Sequence, residues 1–185
     1  MFLSHQTIKR YIDEGKIIIG PEFDKKDIRP VGVRIHLGKS ILIPEAGQTV
    51  EIQSSTELKY KKVDLTKEEF YLEPGAFVLG ATHETIQTPP DVLAILDGRS
   101  TLARLGVSMH ISSCVIDGAL GAPQVVVLEI KNVGNFRVRL QFKDPVAEFV
   151  FTELTEPVVQ KGQSQYNNQD GVAPPNLKFR TGRDK

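Results

Sequence analysis

The sequence predicts a mainly β fold, either an antiparallel barrel or a jelly-roll-like sandwich, with a short N-terminal helix and a helical turn near residues 100–105. Short apolar runs recur along the chain, and several alternate strictly between apolar and polar residues. Turn signals such as Pro74-Gly75 and Val133-Gly134-Asn135 separate these runs. Many short strands joined by regular turns are typical of antiparallel barrels and sandwiches.

An amphipathic helix is predicted between Ser4 and Gly15. Ile8, Tyr11 and Ile12 fall on one face of this helix, as the core-facing residues of a surface helix do. Ser4 carries a hydroxyl that suits an N-cap, and Gly15 suits a C-cap because glycine tolerates a left-handed backbone.

Most of the following chain is predicted to form strands. Val33, Ile35 and Leu37 alternate with polar residues or glycine, which indicates a strand with one buried face. The Pro74-Gly75 signal predicts a tight connection between the strands on either side of it. The predicted strands are 33–37, 41–43, 50–52, 70–72, 77–79, 92–96, 107–111, 125–130, 136–142 and 146–151.

Composition and charge exclude several classes of function. The 23 basic and 23 acidic side chains of this 185-residue chain give zero net charge, which argues against long nucleic acid as a partner. The polar N-terminus and the absence of a long apolar run argue against a signal peptide and a membrane span. A single cysteine, Cys114, excludes an intramolecular disulfide and fits a cytoplasmic protein.

The C-terminal residues differ in composition from the rest. From residue 160 onward glutamine, asparagine, glycine, proline and lysine become frequent. We therefore expect residues 1–160 to form one domain and residues 161–185 to form a tail that is mobile unless something holds it.

The segment from Asp97 to Val107 interrupts the strand pattern and has the character of an anion site. Ser100 to Arg104 has helical propensity, and a helical turn there would direct backbone N–H groups toward an anion. Arg99 and Arg104 can form forked bonds to phosphate oxygens. An ordinary capped turn with two solvated arginines is the alternative.

Two carboxylates are candidates for chemistry. Glu129 follows an apolar run, so its side chain either lies on the wet face of an alternating strand or is partly buried, and partial burial would suit a general acid/base. Asp117 precedes Gly118 and on its own indicates a turn. The scattered histidines and the lone cysteine provide neither metal-ligand spacing nor the motif of a zinc nucleobase deaminase.

Taken together, these segments resemble the dCTP deaminase branch of the trimeric dUTPase superfamily, from the N-terminal helix to about Pro175. The string Arg-Ser-x-Leu-Ala-Arg-Leu-Gly at Arg99–Gly106 is specific to this branch, and ordinary dUTPases lack counterparts of Arg104 and Glu129. The segments that carry the resemblance are 72–80, 84–89, 98–106, 116–117, 127–129 and 166–171.

The resemblance implies a distorted jelly-roll, dUTPase-like β-barrel that forms a homotrimer with sites at subunit interfaces. The implied reaction is zinc-independent hydrolytic deamination of dCTP to dUTP and ammonia, with Mg²⁺ bound through the substrate triphosphate. The tail would close over the active site. Binding of dTTP stays open.

The resemblance also implies roles for individual residues. Glu129 matches the general acid/base, and Ser100 and Arg104 match the residues that position the attacking water. The resemblance also implies binding roles: for the phosphate segment Arg99, Ser100, Thr101, Leu102, Ala103 and Arg104, for the residue under the deoxyribose Asp117, for the base-reading strand edge the backbone groups of Val127, Leu128 and Glu129, and for a tail residue that closes over the triphosphate Gln169.

Several positions depart from the family pattern. Gly118-Ala119-Leu120 replaces Pro-Gly-Phe, and Arg34 replaces a strand aspartate. A triphosphate-binding tyrosine and lysine of the family fall at Val158 and Gln165.

Three alternatives therefore stay open beside a dUTP-releasing deaminase. A bifunctional enzyme would go on to produce dUMP and diphosphate, with Asp117 as base for the second step. A plain dUTPase is disfavoured by Arg104 and Glu129. A catalytically inactive, nucleotide-binding regulatory paralogue is favoured by the changes in the tail and disfavoured by retention of Glu129.

Overall fold

The computed structural model describes residues 1–52, 56–116, 122–159, 166 and 169–177. Within these residues the helices are α1 (His5–Asp13), α2 (Ser100–Arg104) and a 3₁₀ turn (Lys25–Asp27). The strands are β1 (Ile18–Gly20), β2 (Ile28–Arg29), β3 (Gly32–His36), β4 (Ser40–Pro44), β5 (Tyr60–Asp64), β6 (Phe70–Leu72), β7 (Phe77–Gln87), β8 (Val92–Gly98), β9 (Val107–Ser108), β10 (Val115–Ile116), β11 (Gln124–Asn132), β12 (Val138–Leu140) and β13 (Pro145–Glu153).

The strands of the described residues form two large antiparallel sheets and one small one. The first large sheet has the order β5-β4-β7-β11-β9, with β1 paired to β7, and the second has the order β10-β8-β13-β3-β2. Strands β12 and β6 form the small sheet. The predicted mainly β class with antiparallel sheets is confirmed.

The core contains the inward-facing side chains of both large sheets. Ile35 of β3 and Phe149 of β13 come from one sheet, Leu128 and Ile130 of β11 come from the other, and all four are fully buried. Each buried side chain of this size contributes roughly 1.5–3 kcal/mol through removal of apolar surface from water. The pattern of alternate inward residues fixes which side chains of β11 face outward.

Helix α1 packs on this sandwich as the sequence predicts, with Ile8 and Tyr11 buried. The backbone of Ser4 is extended at the N-cap position, but its side chain makes no capping hydrogen bond. The C-cap residue is Glu14 rather than Gly15, and Gly15 follows it with a positive φ of 69°. No helix in the described part of the chain is long and apolar enough to cross a bilayer.

The predicted strand positions are mostly right, but some extents are wrong, and the connection at Pro74-Gly75 joins two different sheets. Residues 50–52 form no strand, and 107–111 contributes only the two residues of β9. The strands on either side of Pro74-Gly75 do not pair with each other, because β6 pairs with β12 whereas β7 pairs with β11, β4 and β1. Gly75, at φ 77°, lies in the turn between strands of different sheets.

Candidate active site

Glu129 lies on the outer face of β11. Its neighbours Leu128 and Ile130 are completely buried, and since successive strand residues face opposite sides, the Glu129 side chain faces away from the core. It is nevertheless partly covered, and its strand partner is Leu79 of β7, which is 6% exposed. The side chain therefore lies on the outer face of its strand and is also partly buried, which the sequence had left as two alternatives.

One oxygen of this carboxylate is held by the backbone. The N–H of Ile111 donates to Oε2 of Glu129 at 3.0 Å. Ile111 follows β9, and β9 pairs with β11 through Ser108 and Lys131. The chain therefore passes beside Glu129 directly after β9. Sequence reasoning missed Ile111, because a backbone donor leaves no signature in the side-chain pattern.

The strand edge beside Glu129 is open in the described structure. Residues 127–129 pair with residues 81–79 of β7 on one side. On the other side, β9 reaches only Lys131 and Asn132. A free strand edge can bind polar ligand groups through backbone N–H and C=O groups. Base recognition by Val127 and Leu128 stays a prediction. The open strand edge is suited to that role.

A β-bulge precedes this edge. The register between β11 and β7 shifts between Val125 and Val127. The hydroxyl of Thr82, a residue only 2% exposed, accepts a hydrogen bond from Val126 N at 3.0 Å and donates one to Glu84 O at 2.6 Å. The bulge is thus stabilised by a side chain that the sequence analysis did not single out.

Helix α2 is the helical turn that the sequence predicts, and it begins after Arg99, whose backbone is extended. Ser100, Thr101, Ala103 and Arg104 are exposed, while Leu102 packs against the core. The two arginines differ. Arg99 Nη1 donates to Pro145 O at 2.6 Å, whereas the Arg104 side chain makes no hydrogen bond or ion pair with the described residues.

The described structure does not join α2 to Glu129. Among the described residues, no hydrogen bond or ion pair links Ser100 or Arg104 with the Glu129 carboxylate. The predicted catalytic roles of these three residues therefore stay predictions.

Asp117 and the predicted tail are described only in part. Asp117 and the boundary at 160–161 lie outside the described residues. Gln169 is partly buried, and its Nε2 donates to Gly171 O at 2.9 Å. Burial raises the pKa of Tyr60 on β5, and the nearby Tyr166 raises it further. Part of the tail thus lies near β5.

Buried charges lie near β3. Arg34, which the sequence analysis marked as a departure, forms an ion pair with the buried Asp27 at 3.4 Å. His36 binds the buried Glu84 twice, through its backbone N–H at 2.9 Å and its Nδ1 at 2.6 Å from the carboxylate. These contacts link β3 to the 3₁₀ turn and to β7, so Arg34 is accommodated by the fold.

Comparison with known proteins identifies the family. A family model described as dCTP deaminase-like matches residues 2–154. The chain belongs to the dCTP deaminase-like family. It is similar to the dUMP-forming dCTP deaminase of Dictyoglomus thermophilum, with 34% identity over 92% of both chains. It is equally similar, at 34% identity over 92% of both chains, to the dCTP deaminase of Natronomonas pharaonis.

A solved structure supports the family's fold. The 2'-deoxycytidine 5'-triphosphate deaminase from Agrobacterium tumefaciens matches 81% of this chain with a TM-score of 0.63 and 18% identity. The match covers 47% of the Agrobacterium tumefaciens protein, so the present chain corresponds to about half of that protein's length. At this identity the likeness concerns the fold alone.

Proposed function

We propose that this chain catalyses the hydrolytic deamination of dCTP. Membership of the dCTP deaminase-like family and relatives named as dCTP deaminases support the proposal. The structural observation that carries it is the position of Glu129. This carboxylate is partly covered, has one oxygen fixed by Ile111, and lies beside an open strand edge. Such an edge can hold a base while a carboxylate beside it transfers protons.

In the proposed reaction Glu129 is both general base and general acid. It takes a proton from a water molecule as the water oxygen bonds to C4 of cytosine. It then returns the proton to the ring at N3, and a further proton transfer from the C4 hydroxyl to the exocyclic nitrogen allows the C4–N bond to break. The products of dCTP and water are dUTP and ammonia. The hydrogen bond from Ile111 N keeps the carboxylate oriented throughout.

We propose that Ser100 and Arg104 position the attacking water. Both are exposed, and no described contact links them to Glu129 of the same chain. In the homotrimer that the resemblance implies, we propose that α2 of one chain faces Glu129 of another.

The phosphates of the nucleotide are assigned to α2 and its N-cap. In this proposal Arg99, the amide groups around Thr101 and Arg104 bind the phosphate oxygens. Gln169 of the tail covers them and Asp117 contacts the deoxyribose. The described residues contain no group of three or more His, Cys, Asp and Glu side chains able to hold a metal ion. As the resemblance implies, Mg²⁺ is assigned to the triphosphate oxygens of the substrate, where it would neutralise charge.

A second candidate is that the chain also cleaves dUTP to dUMP and diphosphate. The relative from Dictyoglomus thermophilum is named as dUMP-forming, and so is a relative from Methanosphaera stadtmanae that is 34% identical over 91% of this chain. Asp117 is the proposed base for this second water attack.

Incubation of the purified protein with dCTP and Mg²⁺, followed by anion-exchange chromatography, tests the proposal. Accumulation of dUTP is expected for a deaminase alone, and dUMP with diphosphate for the bifunctional enzyme. Failure to convert dCTP while still binding it would contradict both and would indicate a regulatory nucleotide-binding protein.

A further inference from the structure

Asn132, the last residue of β11, connects several segments through its side chain. The carboxamide is completely buried. Its Nδ2 donates to Leu72 O at 3.0 Å and to Phe136 O at 2.7 Å, and its Oδ1 accepts from Gly134 N at 2.9 Å. Its backbone N–H and C=O are bonded to the turn at 75–76. The side chain therefore determines the shape of the turn that follows β11.

That turn presses against the C-terminal end of α2. Val133 N donates to Gly106 O at 2.7 Å. A Cβ placed on Gly134 would lie 2.2 Å from Leu105 O, and one placed on Gly106 would lie 2.5 Å from Gly134 N. Gly106 also has a positive φ of 78°. The two backbones therefore approach at a distance that only glycine permits on both sides.

A second connection leads to the same end of β11. Strand β9, which follows α2 directly, pairs Val107 with Asn132 and Ser108 with Lys131. Helix α2 has no fully buried residue of its own. Besides the packing of Leu102 and the hydrogen bond from Arg99 to Pro145 O, its placement on the sheet depends on contacts made just beyond its C-terminus, and these include the contact with the turn that Asn132 shapes.

We propose that Asn132 and Gly134 are positioning residues for α2, which they hold at a fixed place relative to the large sheet. The buried carboxamide shapes the turn, and the turn fixes Leu105 and Gly106. The consequence for catalysis rests on the proposed function, since it assumes that α2 binds phosphate and positions water. The structural part of the proposal does not depend on the substrate.

Gly134→Ala tests the proposal directly, because the added methyl group meets Leu105 O and leaves the hydrogen-bonding groups of the Asn132 carboxamide chemically unchanged. Gly32→Ala is the matched control. Its Cβ would lie 2.8 Å from Phe149 O, so it also produces a clash with a backbone oxygen, although a smaller one, in the other sheet and at a site not assigned to binding or catalysis. Asn132→Asp is the second variant, since it keeps the shape and the acceptor for Gly134 N but loses Nδ2 as a donor.

Two measurements are made on the full chain, each at the same interval below the variant's own Tm. Amide hydrogen exchange at residues 102–108 is expected to be about tenfold faster or more in Gly134→Ala and Asn132→Asp, and unchanged in Gly32→Ala. The kcat/KM for dCTP is expected to fall by about 10- to 100-fold in the first two variants only, because a small displacement of positioning groups has effects of this size.

The outcomes separate the two proposals. Similar exchange at residues 102–108 in Gly134→Ala and Gly32→Ala would overturn the positioning role. Faster exchange without a selective loss of kcat/KM would overturn its catalytic consequence. If the wild-type protein does not convert dCTP, the proposed function fails, while the exchange measurement still decides whether Asn132 and Gly134 position α2.

Discussion

The backbone N–H of Ile111 donates a hydrogen bond to Oε2 of Glu129 at 3.0 Å. This contact joins the segment after β9 to the outer face of β11 and fixes one carboxylate oxygen. A fixed oxygen and a partly covered position suit proton transfer to a ligand held at the adjacent strand edge.

Replacement Glu129→Gln is expected to lower kcat for dCTP deamination by about 10²–10⁴-fold, the usual contribution of a general acid/base. The glutamine amide oxygen can still accept the hydrogen bond from Ile111, so the fold and dCTP affinity should be kept. Single-turnover kinetics and equilibrium binding of dCTP measure the two effects separately. Normal turnover in this variant would contradict the proposed mechanism.

The two arginines around α2 should respond differently to replacement by alanine. Arg104 has no described partner, so Arg104→Ala is expected to reduce activity while changing the free energy of unfolding by about 0.5 kcal/mol or less. Arg99→Ala removes the hydrogen bond to Pro145 O and is expected to lower stability by about 1 kcal/mol in addition to weakening dCTP binding. Urea unfolding together with steady-state kinetics distinguishes the two variants. Equal losses of stability in Arg99→Ala and Arg104→Ala would contradict the prediction.

The tail is expected to contribute to substrate binding. Deletion of all residues after Gln160 should raise KM for dCTP by about tenfold or more, since one hydrogen bond to a charged group contributes about 1.5–3 kcal/mol. The family model matches residues 2–154, so the Tm of the shortened protein should stay near that of the full chain. An unchanged kcat/KM would show that the tail has no part in the reaction.

Sequence patterns predicted the local features of the site better than its assembly. The helical turn after Arg99 and the strand that carries Glu129 depend on propensity and on alternation within a few residues, and both are confirmed. The prediction of a tight connection at Pro74-Gly75 identified the turn but not the sheets that it joins. Strand pairing depends on contacts distant in sequence, which no local pattern specifies.

Some determinants of the site leave no side-chain pattern at all. Ile111 acts through its backbone N–H, and its apolar side chain is 57% exposed. Asn132 belongs to a segment whose composition indicates a turn, but only the fold shows that its carboxamide is buried and bonded to Leu72 and Phe136. The contacts of Asn132 form only when the fold brings β6, β11 and β12 together.

The contact between α1 and β13 predicts a change in stability at high pH. Tyr11 donates to Glu153 Oε1 at 3.0 Å, and this hydrogen bond, together with burial, raises the pKa of the Tyr11 phenol. A raised pKa means that the stabilisation is present below the ordinary tyrosine value of about 10 and is lost as the pH rises through the folded-state value. Because Glu153 is exposed, Tyr11→Phe should cost only about 1 kcal/mol at pH 7.

Urea unfolding of wild type and Tyr11→Phe from pH 7 to pH 11 measures this effect. The difference between the two proteins should shrink as the pH increases, since the wild type loses the hydrogen bond and the variant has none to lose. A constant difference across this range would mean that the phenol does not titrate in contact with Glu153.

The bulge in β11 is expected to depend on one hydroxyl group, that of Thr82. Thr82 Oγ1 satisfies Val126 N and Glu84 O inside the protein, so Thr82→Val leaves both without this partner and should lower the free energy of unfolding by about 1–3 kcal/mol. Thr82→Ser keeps the hydroxyl and serves as the control. Because the bulge precedes residues 127–129, Thr82→Val should also weaken dCTP binding more than Thr82→Ser. Urea unfolding and equilibrium dCTP binding measure these effects, and equal losses in the two variants would assign them to packing rather than to the hydrogen bonds.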